Sequence, residues 1–292
     1  MGDKPSKHIK AEPPLFDEPW RKINWSRDKK GALEYINSYK PQTEGQQLRI
    51  LLHGPVGAGK SSFINSVQSV LKDKMCTPAL AANTTQGCFT KQYKTYKMEN
   101  GTPNSFYPFV LNDMMGLKHT NRANRKIHVK DMKRALRGHV KDGYTFNPEC
   151  KLSKDNRFYN KSPTSKDKVH VLVSVIDAST EGLMSEEVAE TLQDIRDEAS
   201  ELGIPQVAIF TKIDEACPEI KRDVKNVYRS KVLKKRMEEF SAAVGIPMNC
   251  IFPVRNYSSE ISFNSDADTV ILNALYHIIS FGEDFLRRKQ RC

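Results

Sequence analysis

The sequence lacks any long hydrophobic run. None of its apolar stretches approaches the roughly 18 residues that a membrane-spanning helix requires, which excludes an integral membrane segment. Its six cysteines (Cys76, Cys88, Cys150, Cys217, Cys250 and Cys292) show no CxxC pairing, so no zinc ribbon is expected. The opening residues MGDKPSKHIKAEPP contain no apolar leader, so the reading is a cytoplasmic chain whose thiols stay reduced. There is no internal repeat. What the chain has in excess is positive charge, 46 Lys and Arg against 35 Asp and Glu for a formal net +11. The excess is local, since residues 118–168 carry fifteen Lys or Arg against five Asp or Glu, a net +10. The remainder is close to neutral.

At 292 residues the chain is long enough for one large α/β domain with additions. Residues 1–14 are polar and aperiodic and read as a disordered tail. Residues 15–46 read as a docking segment with a helix: Phe16, Trp20 and Trp25 lead into Ser26, a good N-cap, with Leu33 and Ile36 on one face. From 47 to 292, β-rich runs near 48–53, 89–98, 106–112, 169–176, 205–210 and 250–254 alternate with helical patterns near 60–72, 185–202, 219–243 and 266–288. That alternation predicts a doubly wound α/β fold with a mostly parallel sheet. Some 56 residues separate Asp113 from the strand at Val169, whereas a parallel crossover needs about a dozen, so the basic segment 118–168 reads as an insertion after the third strand. A helix is expected at about 129–140, followed by a mobile, turn-rich stretch.

Three motifs lie at strand ends. The strand Leu48–His53 runs into Gly54, Pro55, Val56, Gly57, Ala58, Gly59, Lys60, Ser61 and Ser62, a GxxxxGKS before a helix. Glycines there allow a tight turn that aims N–H groups at a β-phosphate, Lys60 serves the β and γ oxygens, and the Ser61 hydroxyl can hold Mg²⁺. Asp113-Met114-Met115-Gly116 is a DxxG in which the acid supports Mg²⁺ and the glycine N–H meets a γ-phosphate. Thr211-Lys212-Ile213-Asp214 is a TKxD. The Asp214 carboxylate can accept from both N1–H and N2–H₂ of guanine while the Lys212 stem covers the base. The competing reading of Asp214 is a helix cap. Threonine in place of asparagine at 211 removes an amide that commonly ties this loop to the glycine-rich one, so weakened affinity is expected. Between the first two motifs, Asn83-Thr84-Thr85-Gln86 offers Thr85, or Thr84, as a further Mg²⁺ ligand, and Arg255 and Asn256 follow the last strand where they would back the base or ribose.

With GPVGAGKSSFINSV, NTT, DMMGL, TKID and FDEPWRKINW in place, residues 15–288 resemble the interferon-induced protein 44 and 44-like family. The resemblance implies a P-loop GTPase-like domain, a cytoplasmic site and a part in antiviral innate immunity. It also implies a short form, because the family's longer members carry a TLDc-like domain ahead of this one. The expected function is a guanine-nucleotide-binding protein, a Mg²⁺-dependent GTPase or a GTP-regulated switch, using GTP/GDP and Mg²⁺ with Lys60 and Thr85 as catalytic residues. Leu117 and Lys118 stand where Ras-type proteins place a water-positioning glutamine, so turnover should be slow or depend on a residue from the basic segment or a second protomer in a nucleotide-dependent homodimer. The alternative is a nucleotide-stabilised, non-enzymatic scaffold whose segment 118–168 binds an acidic protein, RNA or an anionic membrane, with Tyr144, Phe146, Phe158 and Tyr159 available to stack on bases.

Overall fold

The computed structural model describes residues 13–79, 92–102, 104–117 and 122–291. Its frame is a six-stranded sheet in the order β2-β3-β1-β4-β5-β6. The strands are β1 (Leu48–His53), β2 (Lys94–Glu99), β3 (Phe106–Asp113), β4 (Val171–Asp177), β5 (Gln206–Thr211) and β6 (Ile251–Pro253). Only β2 runs antiparallel to its neighbour, at the edge beside β3. The parallel strands alternate side chains between two covered faces. Ile50, Leu52, Val173, Val207 and Ile209 turn to one layer, formed by α1 (Trp25–Ser38), α2 (Lys60–Lys72) and α8 (Ser265–Arg291). Leu51, Leu172, Ala208 and Phe210 turn to the other, formed by α3 (Arg122–Leu136), α4 (Glu186–Glu201) and α7 (Lys231–Val244). The fold is thus the doubly wound α/β architecture that the strand and helix alternation implies.

Local chemistry moves several boundaries. α1 starts earlier than the Ser26 reading: Asn24 caps it by accepting from the Arg27 N–H at 3.1 Å, and the Asp28 carboxylate accepts the Asn24 N–H in return at 2.8 Å. The single helix expected over 219–243 is three pieces, α6 (Pro218–Arg222), a 3₁₀ turn (Val224–Tyr228) and α7, because Asp223 is extended and Ser230 caps a fresh start. Arg21, in the lead-in to α1, donates to the carbonyls of Ile251 and Met248 and lies over the rings of Trp20 and Tyr228, pinning that lead-in to the domain.

The basic segment is folded where mobility was expected. α3 spans 122–136 rather than 129–140 and is itself the crossover helix from β3 to β4, with Val129, Met132 and Leu136 in the core. Beyond it Tyr144, Phe146 and Leu152 are buried, and the backbone pairs with Tyr93 ahead of β2. Asp131 fixes this loop: its carboxylate accepts from Leu152 N–H, the Tyr144 hydroxyl and Arg134. Buried side chains and a buried acceptor thus help to order a stretch whose composition is otherwise that of a solvated loop.

Candidate functional site

β1, β3, β4, β5 and β6 are parallel, so their C-terminal ends share one edge of the sheet. From β1 the chain passes to β3 on one side and later to β4 on the other. This is the switch point at which open α/β sheets form a ligand crevice.

The loop 54–59 leaves β1 at that point. Gly54 lies at φ +141°, and a Cβ there would meet the Val175 carbonyl oxygen at 2.1 Å, so β4 packs directly against it. Gly57 and Gly59 are left-handed, and a Cβ on Gly59 would come within 3.1 Å of Asn256 and 3.3 Å of Thr211. Ala58 is buried behind the loop. The loop then feeds α2 at Lys60, whose Nζ donates to the carbonyls of Gly54 and Pro55 at 3.1 and 3.0 Å and is only 6% exposed. Ser61 and Ser62 lie in the first turn of α2, where helix N–H groups point outward along the axis.

The other motifs converge on this loop. Ser61 Oγ donates to Asp113 Oδ2 at 2.7 Å, bringing the end of β3 to the start of α2. Val56 N–H donates to the Leu117 carbonyl and Leu117 N–H to the Gly54 carbonyl, each at 2.9 Å, so the DxxG strip runs as a short bridge beside the loop. Gly116 is required by that approach, since a Cβ would stand 2.8 Å from Val56 Cα. From β5, Thr211 Oγ1 donates to the Ala58 carbonyl at 2.6 Å, and from the loop after β6, Asn256 Nδ2 donates to the Gly59 carbonyl at 3.2 Å. The loss of a tie expected from threonine at 211 does not occur: the hydroxyl is long enough because Gly59 admits it so closely.

Lys212 is left-handed at φ +52° and forms the N-cap of α5 (Ile213–Ala216) without a side-chain cap bond. Its Nζ donates to Asp177 Oδ2 at 2.5 Å. Asp214 is the second residue of α5, and its carboxylate lies 3.5 Å from Arg255 Nε. Arg255 is shared with Glu260 at 3.4 Å, and Glu260 in turn accepts the N–H groups of Ser258 and Ser259. Those backbone bonds hold the Glu260 carboxyl below its usual range despite partial burial.

Two residues were missed in sequence. Asp177, at the C-terminal end of β4, holds Lys212 and accepts from the Ser179 N–H and hydroxyl. Its signal is the one that marks Asp113, an acid closing an apolar strand. His53, 1% exposed at the end of β1, shares a 2.8 Å hydrogen bond with Ser174 Oγ, and burial, reinforced by His128 and Lys60, pulls its pKa down to about 3. Thr85, its alternative Thr84 and Lys118 lie outside the described residues. Among the described residues there is no cluster of three or more His, Cys, Asp or Glu placed to hold a metal, and no helix is long and apolar enough to cross a membrane.

Of the fifteen cations in 118–168, Arg125, Lys133, Arg134 and Arg137 are spent on Glu190, Asp194, Glu198 and Asp131. Tyr144 and Phe146 are buried and not available for stacking.

The class defined by this arrangement is a doubly wound α/β protein with a glycine-rich strand-to-helix loop at the switch point, a fold compatible with nucleotide binding. No protein-family model matches the chain. Interferon-induced protein 44 is 33% identical over 259 residues in both Pan troglodytes and Homo sapiens, covering 88% of this chain and 57% of each relative. Human interferon-induced protein 44-like is 31% identical over 273 residues, 93% of this chain and 60% of the relative. The chain is a homologue of the interferon-induced protein 44 and 44-like proteins, and it spans less than two thirds of the length of the relatives it matches.

Proposed function

We propose that this chain binds a guanine nucleotide with Mg²⁺ in the crevice at the C-terminal edge of its sheet, acting as a slow GTPase or GTP-regulated switch in an interferon-linked setting. One observation carries this reading. Two motifs distant in sequence, at 113–116 and 211–214, and the loop after β6 are drawn by side-chain hydrogen bonds to the glycine-rich loop and the helix start that follows it: Ser61 to Asp113, Thr211 to Ala58 and Asn256 to Gly59. A polyphosphate suits what stands there, an ammonium from Lys60, the N-terminal turn of a thirteen-residue helix and a loop of positive-φ glycines.

The donor set fits a hard cation. The Ser61 hydroxyl and Asp113 carboxylate are oxygen ligands already side by side, and Thr85 is proposed as a third. Magnesium would supply charge neutralisation at the phosphate oxygens. Lys60 adds a second positive charge, and the packed loop excludes water from beneath it. At the far end of the crevice Asp214 is proposed to read guanine. Asp214 lies within α5, whose N-cap is Lys212, which disfavours the cap role, and Arg255 stands beside its carboxylate at 3.5 Å. The relatives' names support the interferon link.

The test is displacement of a fluorescent GTP analogue, followed by phosphate release. Unlabelled GTP and GDP are expected to compete, equimolar ATP to fail, and turnover to be slow. Equal competition by ATP would refute guanine selectivity.

A second reading, a scaffold that contacts an acidic protein, RNA or anionic membrane, is favoured by Lys126, Lys130, Lys151, Lys154 and Lys161, which are exposed and have no acidic partner among the described residues. Binding to RNA or anionic vesicles should then fall steeply with salt.

A further inference from the structure

The opposite edge of the sheet, where β4 and β5 begin and α3, α4 and α8 end, contains a cavity of about 470 Å³. That volume lies in the range of small-molecule sites, about 300–1,000 Å³. Its floor is apolar: Leu136, Val169, Ile204 and Phe285 are each less than a tenth exposed yet border the cavity. Its mouth carries Arg137, Lys168 and Lys289, and no acidic residue lines it among the described residues.

The cations at the mouth are not balanced locally. Arg137 donates to Glu198, but Lys133 shares that same carboxylate, so the group carries a surplus positive charge. Lys168 and Lys289 are exposed with no acidic partner among the described residues. Asp167, the nearest acid in sequence to Lys168, is turned onto Thr164, where it accepts from the N–H and the hydroxyl. Lys289, in the last turn of α8, also offsets the negative end of that helix. This explains one cation, but not Lys168, nor an acid-free apolar cavity beneath both. One wall is His170, held neutral and rigid: Nδ1 accepts the Arg49 N–H at 2.8 Å, Nε2 lies 3.0 Å from the Ser165 carbonyl, and burial brings its pKa down to about 4.

We infer that this cavity binds a single acyl chain bearing an anionic headgroup, with the chain on the apolar floor and the headgroup between Lys168 and Lys289. An apolar floor alone would take any hydrophobe, and surface lysines alone any anion. Their stacking selects a molecule with both parts. The site lies at the strand edge remote from the glycine-rich loop and does not depend on the nucleotide reading.

The experiment is titration of the full chain with dispersed oleate, with oleyl alcohol as the uncharged chain of the same length and inorganic phosphate as the head without a chain. One oleate per chain is expected, bound at least about tenfold more tightly than the alcohol, with no phosphate binding. The double variant Lys168→Glu and Lys289→Glu should weaken oleate by at least about tenfold while the chain still folds and melts cooperatively, with only the small drop in melting temperature that an acid in the last turn of α8 brings. Ile204→Trp, filling the floor, should block oleate in a folded variant. If it does not fold, the charge reversal decides. Equal affinity for oleate and the alcohol, an unaffected charge-reversed variant, or binding to anionic vesicles without binding of dispersed oleate would each overturn the assignment.

Discussion

Thr211 Oγ1 reaches the Ala58 carbonyl at 2.6 Å across 153 residues of sequence, and approaches the Ile176 carbonyl at 3.2 Å, so one buried hydroxyl joins β5, β4 and the glycine-rich loop. Replacing Thr211 by valine keeps the shape and removes the donor, leaving a buried carbonyl unsatisfied. A loss of about 1–3 kcal/mol in unfolding free energy is expected, together with weaker nucleotide binding. Thr211→Ser should retain most of both. Denaturant unfolding and nucleotide titration of the pair check this, and identical behaviour of valine and serine variants would contradict it.

The glycines separate in the same way. Gly116→Ala would place a Cβ 2.8 Å from the Val56 backbone, which cannot retreat without breaking the Val56 and Leu117 hydrogen bonds. Gly57→Ala meets nothing within 4 Å and faces only the cost of a left-handed backbone at φ +78°, about 1–2 kcal/mol. The expected result is that Gly116→Ala lowers stability by about 1–3 kcal/mol and prises Asp113 away from Ser61, abolishing nucleotide binding. Gly57→Ala should stay folded at a smaller cost. Thermal melts with and without GTP would show the difference.

A pH dependence follows from His53 and His170, buried and pulled down to about 3 and about 4. Unfolded, each titrates near about 6.5. Between those values the unfolded chain binds protons that the folded chain refuses, so stability is intact above about pH 6.5 and falls as the pH drops toward 4. The expected slope is on the order of 1.4 kcal/mol per pH unit for each histidine. The carboxylates with lowered values, such as Glu198 and Asp167, lose their contribution only below about pH 4.5, so the interval from about 6.5 to 5 isolates the histidines. Urea midpoints that stay constant across it would contradict the buried neutral assignment.

Where a motif fixed both strand end and helix start, the sequence was legible to the residue: β1 at 48–53 and α2 at 60–72 follow from an apolar β-run that meets glycines and then Lys60. The end of β5 was legible to within a residue, but the tie that Thr211 makes there was not, since whether a threonine hydroxyl suffices depends on how closely Gly59 approaches. Asp177 escaped because the sequence does not say which strand lies between β1 and β5. The segment 118–168 was misjudged for a different reason. Charge dominates its composition, while Tyr144, Phe146 and Leu152 and the carboxylate of Asp131 decide its structure.

The proposed reading of guanine rests on Asp214, and the most direct measurement is calorimetry of GTP, ATP and xanthosine triphosphate on the wild-type chain and on Asp214→Asn. In the wild type, both carboxylate oxygens pair with guanine donors, whereas adenine presents an acceptor at N1 and leaves the charge uncompensated. A preference for GTP of order 10² or more is expected. The variant exchanges one acceptor for a donor, which should lose GTP and gain xanthosine triphosphate, whose C2 oxygen accepts it. ATP bound as tightly as GTP by the wild type, or a GTP preference unchanged in Asp214→Asn, would contradict the account.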